Sequence, residues 1–292
     1  ISCSLVGSEM CIRDRMKHFR PRLSRRAFWV LCALLVCLRL ALTGFQQAYI
    51  WVGGAPLDDE LMLRAANHIT AGQWLGAYDY LTLSKAMFFP VWLALLHALH
   101  LPYLISGAAL WCGAALLAAF AFSTLWRKKD PVQGRVLTLG LFAALAFLPS
   151  SWAAYTLRVY RDNIFPALCL YFFAGMAGMA LRAVFTPEKP LWPWLTAAGA
   201  GLACGYLDRE DAGLFLLPFA AAATVIVVVV LAGKRRWKAL AAQVIPYVVL
   251  GVGVLTFCTL NYTHYGVFAL SDFSEGSFAC LLYTSPSPRD CS

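Results

Sequence analysis

Residues 211–232 read DAGLFLLPFAAAATVIVVVVLA, a single acidic residue followed by a run without any charged side chain. About 20 apolar residues are enough for a helix to cross the hydrocarbon core of a bilayer. Comparable apolar runs lie at 27–50, 103–126, 136–152, 164–184, 192–208 and 239–260. In lipid the backbone polar groups must be hydrogen-bonded within the segment, so each run predicts an α-helix. The chain is therefore predicted to be an all-α integral membrane protein with about seven transmembrane helices.

The composition of the whole chain supports the same class. Hydrophobic residues make up 61% and charged residues 13%, whereas a soluble domain has roughly 25% charged residues. The formal net charge of +9 does not predict a nucleic-acid partner, because the Lys and Arg residues form short clusters between the apolar runs. The composition thus excludes a soluble domain and indicates a bilayer as the surroundings of the chain.

Both ends of the chain resemble translated sequencing adapter. Residues 9–15, EMCIRDR, and residues 280–285, CLLYTS, are translations of one library-preparation DNA element in opposite orientations. Segments of this kind are set aside before a fold is inferred. We therefore expect residues 1–15 and 280–292 to be adapter-derived and residues 16–279 to form one polytopic membrane module, truncated at its C-terminus.

Clusters of Lys and Arg set the expected orientation. They precede the first apolar run and recur at 127–135, 182–189 and 234–238. Under the positive-inside rule all of them are cytoplasmic, which also places the N-terminus in the cytoplasm. Seven alternating spans satisfy the rule only if the shorter apolar stretch at 87–101 does not cross. We predict that this stretch is a juxtamembrane helix in the outer interface, within a long first outer loop at 51–102.

The same alternation places three acidic segments on the outer face. They are Asp58-Asp59-Glu60, Arg161-Asp162 and Asp208-Arg209-Glu210-Asp211. Adjacent carboxylates near a membrane edge are an arrangement that proteins use to tune a general base. Ionisable groups held at the membrane edge by a very short loop indicate a functional site. The alternatives are a solvated acidic loop for the first segment and a tight salt-bridged turn for the third.

Basic residues accompany these acids on the outer face. Arg158 and Arg161 offer two guanidinium groups that can bind a phosphate through paired hydrogen bonds, beside Asp162. A carboxylate such as Asp162 could also hold a divalent cation. Lys85, at the end of the aromatic-rich first outer loop, is a further candidate for binding phosphate. The alternative for each cation is an interfacial residue whose charged end reaches towards water.

Short motifs follow one another along these outer segments. They are DDELMLRAA at 58–66, with Gly72 at the end of that predicted amphipathic helix, FPVWLALL at 89–96 and DNIFPAL at 162–168. Together they resemble the GT-C superfamily of membrane glycosyltransferases. The similarity is greatest to the bacterial branch related to protein O-mannosyltransferases and aminoarabinose transferases, and it covers about residues 50–275. The stretches at 209–213 and 261–266 resemble uncharacterised bacterial members of the same superfamily.

The resemblance implies an enzyme that transfers a sugar from a polyprenyl-phosphate donor, or its diphosphate, to a hydroxyl of a lipid, glycan or protein acceptor. The implied roles are Asp58 or Asp59 as the catalytic base, Asp162, Glu210 and Asp211 as secondary acids, and Lys85, Arg158, Arg161 and Arg209 as ligands of the donor phosphate. Spacing within the motif favours Asp58 over Asp59 as the base. The resemblance also implies a divalent cation, magnesium or manganese, as a candidate cofactor, with Asp162 and Glu60 as candidate ligands.

The expected location is the bacterial inner membrane, with the active face on the periplasmic side. A different class of function was weighed against the transferase. A transporter or lipid flippase would use the acids as an ion or proton path, and would place charges near the middle of the membrane with an inverted internal repeat. No such repeat is evident in the sequence, and the acids cluster at one face.

Overall fold

The computed structural model of this chain describes residues 23–79, 81–126 and 131–271. Its α-helices are, in chain order, α1 (Arg25–Gly44), α2 (Pro56–Thr70), α3 (Phe88–Ala98), α4 (Tyr103–Trp126), α5 (Pro131–Ala146), α6 (Ala154–Leu157), α7 (Phe165–Phe185), α8 (Trp192–Asp208), α9 (Ala212–Gly233), α10 (Trp237–Ala242) and α11 (Val244–Tyr265). Single 3₁₀ turns lie at Pro149–Trp152 and Arg161–Asn163. The described residues contain no β-strand, so the all-α prediction is confirmed for them.

Some of the sequence predictions fall outside the described residues. They concern the adapter-like ends at 1–15 and 280–292 and the basic residues before residue 23 and at 127–129. The basic residues of the other clusters are described: Arg25 and Arg26 begin α1, Arg135 lies in α5, and the last two clusters lie at the C-terminal ends of α7 and α9. The second and third acidic segments precede the N-termini of the same two helices, whereas the first lies within α2. Helices α7 and α9 therefore each have acidic residues at the N-terminal end and basic residues at the C-terminal end, as alternation of the spans predicts.

Five helical stretches are long and apolar enough to cross a bilayer. They are Arg25–Gly44, Tyr103–Trp126, Arg161–Phe185, Ala212–Gly233 and Trp237–Tyr265. The remaining two predicted spans form the shorter helices α5 and α8, of 16 and 17 residues. At 1.5 Å per residue each is about 25 Å long, which is less than the roughly 30 Å of a typical hydrocarbon core. The described residues thus support a membrane protein, while the count of seven spans stays a prediction.

The bounds of three predicted spans differ from those in the structure. Helix α5 runs from Pro131 to Ala146 where 136–152 was predicted, and the other two spans are those of α1 and α11. Helix α1 ends at Gly44 rather than at residue 50, and the Phe45 N–H donates back to the Leu42 carbonyl. Polar residues follow there, so an apolar run that was counted by composition overestimates the helix. Helix α11 continues past the predicted end at residue 260 to Tyr265, where Gly266 adopts φ 72°. A left-handed glycine directly after a helix is a common stop signal.

The segment at 51–102, predicted to be the first outer loop, contains two helices that pack on each other. Helix α2 is the predicted amphipathic helix, and it buries Leu61 and Met62 in a cluster that also contains Phe89 of α3. Gly72, beyond the end of α2, adopts φ 75°, which glycine tolerates without strain. Helix α3 has 11 residues, or about 16 Å, and is too short to cross a bilayer.

The centre of the bundle is formed by α4, α7 and α8, with α1 and α5 against α4 and with α11 against α8. Glycines allow α7 and α8 to touch through their backbones. A Cβ at Gly175 would lie 2.7 Å from the Ala198 nitrogen, and one at Gly201 would lie 2.6 Å from the Leu168 carbonyl oxygen. Small residues at helix contacts permit the close packing on which association in membranes depends.

The outward faces of α1, α9 and α11 carry large apolar side chains that are exposed in the described part of the chain. Leu34, Phe219 and Val252, one on each helix, are all more than half exposed. Monomeric soluble proteins rarely expose contiguous apolar surface on this scale. Lipid suits these faces, in agreement with the length and composition of the helices.

Candidate active site

The ends of several helices meet at one side of the bundle, and the segment at 154–163 connects them. Tyr49 and Arg158 form a backbone bridge, in which the Val159 N–H donates to the Tyr49 carbonyl at 2.9 Å. The Tyr103 hydroxyl, at the start of α4, donates to the Arg158 carbonyl at 2.8 Å. These bonds fix the backbone that carries the two arginines of this segment, and they bring it to the N-terminus of α2.

Asp59 forms a buried ion pair with Arg158. The Asp59 side chain is 0% exposed, and its Oδ2 accepts the Trp51 backbone N–H at 2.6 Å. Arg158 donates to Oδ1 from Nε at 2.9 Å and also from Nη2. Burial would lower the pKa of Arg158, but the hydrogen bond and charge of Asp59 raise it above its ordinary value. Both oxygens of Asp59 are therefore occupied by donors, which makes the residue an anchor of the fold.

Asp58 has a different environment, although it is the adjacent residue. Its side chain is 35% exposed, and its Oδ1 lies 3.7 Å from the Lys85 ammonium group. The Tyr160 hydroxyl donates to Asp58 Oδ2 at 3.4 Å. Burial raises the pKa of Tyr160 to about 12, so the hydroxyl keeps its proton at neutral pH. Asp58 thus has long contacts and an accessible surface where Asp59 has neither.

Lys85 and Arg161 connect the first acidic segment to the third. The Lys85 Nζ lies 3.5 Å from Glu210 Oε1 as well as close to Asp58, so the two carboxylates share one ammonium group. Arg161 donates to both Glu210 oxygens and to the Tyr160 hydroxyl, the latter at 2.7 Å. Burial would raise the pKa of Glu210, but the hydrogen bond and charge of Arg161, with help from Lys85, hold it below its ordinary value.

Arg209 joins the second acidic segment to the third. Its Nη1 donates to Asp162 Oδ1 at 3.0 Å. Its Nε and Nη2 each donate to one oxygen of Asp211 at 2.8 Å. The hydrogen bond from Arg209 holds the pKa of Asp211 below its ordinary value. Since Arg209 and Glu210 are neighbours in sequence, as are Arg161 and Asp162, the two sets of ion pairs form one cluster.

All but one of the site residues named from the sequence take part in this charged cluster, comprising Asp58, Asp59, Lys85, Arg158, Arg161, Asp162, Arg209, Glu210 and Asp211. The exception is Glu60, which is exposed and makes no ion pair with the rest of the described chain. Within the described ranges, no group of three or more His, Cys, Asp or Glu side chains is placed to hold a metal ion. The catalytic, phosphate-binding and metal-binding roles remain predictions.

Sequence reasoning gave no role to Tyr160 or Asp208. Tyr160 lies between the two arginines, and its ring stacks against the Arg158 guanidinium at 4.2 Å. Asp208 is 0% exposed, and neither of its carboxyl oxygens has a hydrogen-bond partner among the described residues. The sequence signal for Asp208 was its place in the third acidic segment. Its burial follows from being the last residue of α8 rather than part of a loop.

An apolar groove lies directly beside the charged cluster. It has a volume of about 440 Å³ and runs between α3, α4, α7 and α8. Phe88, Trp92 and Leu168 are among the side chains that line it. Its walls include Ile164 and Cys204, which lie close in sequence to Asp162 and Asp208 respectively, so one end of the groove adjoins the acids. A lipid chain is the kind of ligand that such a surface suits.

Comparisons of the chain with protein-family models, with curated proteins and with solved structures found no match. The resemblance to GT-C glycosyltransferases therefore depends on the short motifs described above. What the site can do has to be argued from its own geometry.

Proposed function

We propose that this chain is a GT-C-type membrane glycosyltransferase. It transfers a sugar from a polyprenyl-phosphate donor to an acceptor hydroxyl at the outer face of the bacterial inner membrane. One observation carries the proposal: the partly exposed Asp58 carboxylate lies beside the Lys85 ammonium group, at the end of a helical bundle and next to an apolar groove. A proton acceptor, a phosphate-binding cation and a surface for a lipid chain are the parts that such a transfer requires.

Asp58 is assigned as the base, and Asp59 as the residue that holds the base in place. A general base needs a free lone pair within reach of the proton that it removes. Asp58 has one, because its contacts to Tyr160 and Lys85 are 3.4 Å and 3.7 Å long and its side chain is partly exposed. The Asp59 carboxylate is buried and accepts hydrogen bonds from three donor groups, the Trp51 backbone N–H and two nitrogens of Arg158.

Lys85 and Arg209 are assigned to the donor phosphate. Both side chains are about a quarter exposed. Within the described residues, the nearest carboxylate oxygen that pairs with the Lys85 ammonium group lies 3.5 Å away, so a phosphate oxygen can approach it. All three arginines are paired with carboxylates, but the side chains of Arg158 and Arg161 are only 11% and 4% exposed. We therefore assign these two arginines to positioning rather than to the phosphate.

The chemical step moves one proton and exchanges one bond. Asp58 takes the proton of the acceptor hydroxyl while the hydroxyl oxygen forms a bond to the anomeric carbon of the donor sugar. The bond from that carbon to the phosphate oxygen breaks, and its electron pair stays on the leaving polyprenyl phosphate. Lys85 and Arg209 stabilise the charge that develops on this phosphate, because preorganised cations act most strongly where water is partly excluded.

A divalent cation is not needed to write this step. The carboxylate oxygens of Asp162 and Glu60 are of the hard type that magnesium and manganese prefer. Asp162 Oδ1 already accepts a hydrogen bond from Arg209 at 3.0 Å. Among the described residues no three metal-binding side chains come together, so an ion at Asp162 would have to complete its coordination with water or with the donor phosphate. The metal requirement stays a prediction.

The test is donor consumption in membranes that contain the full chain. A panel of polyprenyl-phosphate monosaccharides is supplied, and both sugar transfer and release of polyprenyl phosphate are followed by mass spectrometry. Asp58→Asn is expected to lower transfer by about 10²–10⁴-fold, the usual contribution of a general base. Asp79→Asn is a matched control, because Asp79 also lies in the first outer loop, is 34% exposed and pairs with Arg64 outside the cluster.

Each outcome of this experiment decides for or against the proposal. Loss of transfer in Asp58→Asn but not in Asp79→Asn supports it. Equal transfer in both variants would remove Asp58 from the reaction. Movement of an intact donor across the vesicle membrane, without cleavage of the sugar–phosphate bond, would establish the transporter or flippase reading instead.

A further inference from the structure

A polar cavity, distinct from the apolar groove, is lined in part by segment 154–163, and Asp58 is not among its lining residues. Its volume is about 50 Å³, several times the roughly 10–15 Å³ that one water molecule needs. It is lined by Arg39 and Gln46 near the end of α1, by Ser150 and Ser151 after α5, and by Asn163. The proposed reaction gives none of these side chains a role.

Arg39 is the residue of this cavity that indicates a ligand site. Its side chain is 2% exposed within α1. It donates to the Thr43 hydroxyl and to the Ser151 carbonyl, and its guanidinium lies 3.8 Å above the Trp152 ring. Its Nε has no hydrogen-bond partner, and no carboxylate forms an ion pair with it among the described residues. Buried charges are normally paired, because removing an isolated charge from water has a large free-energy cost.

The position of Arg39 raises the free-energy cost of burying its charge. The residue lies five positions before the end of α1, which is about 7–8 Å from the helix end, inside a stretch long and apolar enough to cross a bilayer. Ionisable side chains within such segments face the protein interior and mark ligand or ion sites. Asp162 also lines the cavity, but its Oδ1 accepts a hydrogen bond from Arg209, which compensates its charge from the other side.

We propose that the Arg39 cavity binds a phosphate group. A guanidinium presents a planar set of donors that matches phosphate oxygens, and the size of the cavity suits one such group rather than a sugar ring. The phosphate could be free inorganic phosphate or the headgroup of a phosphomonoester lipid, since both present the same oxygens. The site is separate from the Asp58–Lys85 pair, and the proposal does not depend on transferase activity.

Asn163 and Gly107 close the wall of the cavity. The Asn163 side chain donates to the Thr156 carbonyl at 2.8 Å, and its Oδ1 is buried without a partner in the described chain. The amide rests against Gly107 so closely that a Cβ there would clash with it. A phosphate that carries one proton has an O–H to donate to such an acceptor, whereas a fully apolar ligand has none.

The experiment measures binding by the purified full chain in detergent, through the rise in its thermal unfolding midpoint. A ligand that binds only the folded state raises stability by RT ln(1 + [L]/Kd), so the unfolding midpoint keeps rising with the logarithm of the ligand concentration above Kd. One arm titrates inorganic phosphate against sodium chloride at the same ionic strength. The other arm titrates short-chain phosphatidic acid against short-chain phosphatidylcholine. The first arm reports free phosphate, and the second alone reports a lipid headgroup.

Three variants make the test specific to the cavity. Arg39→Gln removes the charge and is expected to raise the Kd that is fitted from the midpoint shifts by on the order of tenfold or more, as for loss of a charged hydrogen-bonding partner. Ala108→Val narrows the same cavity with Arg39 in place, and decides the matter if Arg39→Gln does not fold. Arg64→Gln is the control, because Arg64 is a partly exposed arginine of α2 that pairs with Asp79 elsewhere.

A midpoint shift in either arm that exceeds the shift with its matched control ligand, is weakened by Arg39→Gln or Ala108→Val, and is unchanged by Arg64→Gln supports the site. A shift with phosphatidic acid alone assigns the site to a lipid headgroup. No shift in either arm, or a shift that all three variants retain, would overturn the proposal. Arg39 would then act only as a tie between α1 and the turn at Pro149–Trp152.

Discussion

Replacing Asp59 with Asn is expected to destabilise the fold strongly, although the two side chains have almost the same size. Asp59 is fully buried, and its partner Arg158 has a side chain that is only 11% exposed. Removing one member of a buried ion pair leaves an uncompensated charge and costs about 3–5 kcal/mol. For a chain of this size, that loss corresponds to a decrease on the order of 6–20 °C in the unfolding midpoint.

The assay is thermal unfolding of the full chain in detergent, followed by tryptophan fluorescence and by gel filtration. Asp58→Asn is the matched control, because its long contacts of 3.4 Å and 3.7 Å predict a loss below about 1 kcal/mol. The double variant Asp59→Asn/Arg158→Gln should lose less than the two single variants combined, since no charge is left unpaired. Equal midpoints for Asp59→Asn and Asp58→Asn, or strictly additive losses, would refute the buried-pair argument.

The remaining predictions concern pH, packing and donor binding. Arg161 holds the pKa of Glu210 below its ordinary value. Glu210 should therefore stabilise the fold above about pH 4.3 and lose this effect as the pH falls further. When the unfolding midpoint is measured against pH, Glu210→Gln should flatten the acid side of the curve, and an unchanged curve would exclude this role. Gly175→Ala should cost about 1–3 kcal/mol through overpacking, whereas Gly213→Ala, where a Cβ meets no atom within 4 Å, should not. Lys85→Gln should raise the donor KM by on the order of tenfold in initial-rate measurements, and an unaltered KM would separate Lys85 from the phosphate.

Several parts of the fold could be predicted from the sequence because they are local. Every apolar run named from the sequence contains a helix in the structure, and the stretch at 87–101 contains the short helix α3. Boundaries were less predictable. From composition, the first span was predicted to end at residue 50, whereas α1 ends at Gly44. Hydropathy averages over a window, and a helix end depends on individual capping hydrogen bonds.

The sequence alone determined the class of this protein, a helical membrane protein, and the segments that carry its charged groups. Only the tertiary structure decided what each charge does. Asp58 and Asp59 are adjacent, but helix geometry turns their side chains about 100° apart, and only Asp59 meets Arg158, 99 positions along the chain. The Arg39 cavity likewise joins α1 to residues beyond 149. The length of an apolar run is a property of one segment and can be read from the sequence, whereas the pairing of charges depends on which distant segments pack together.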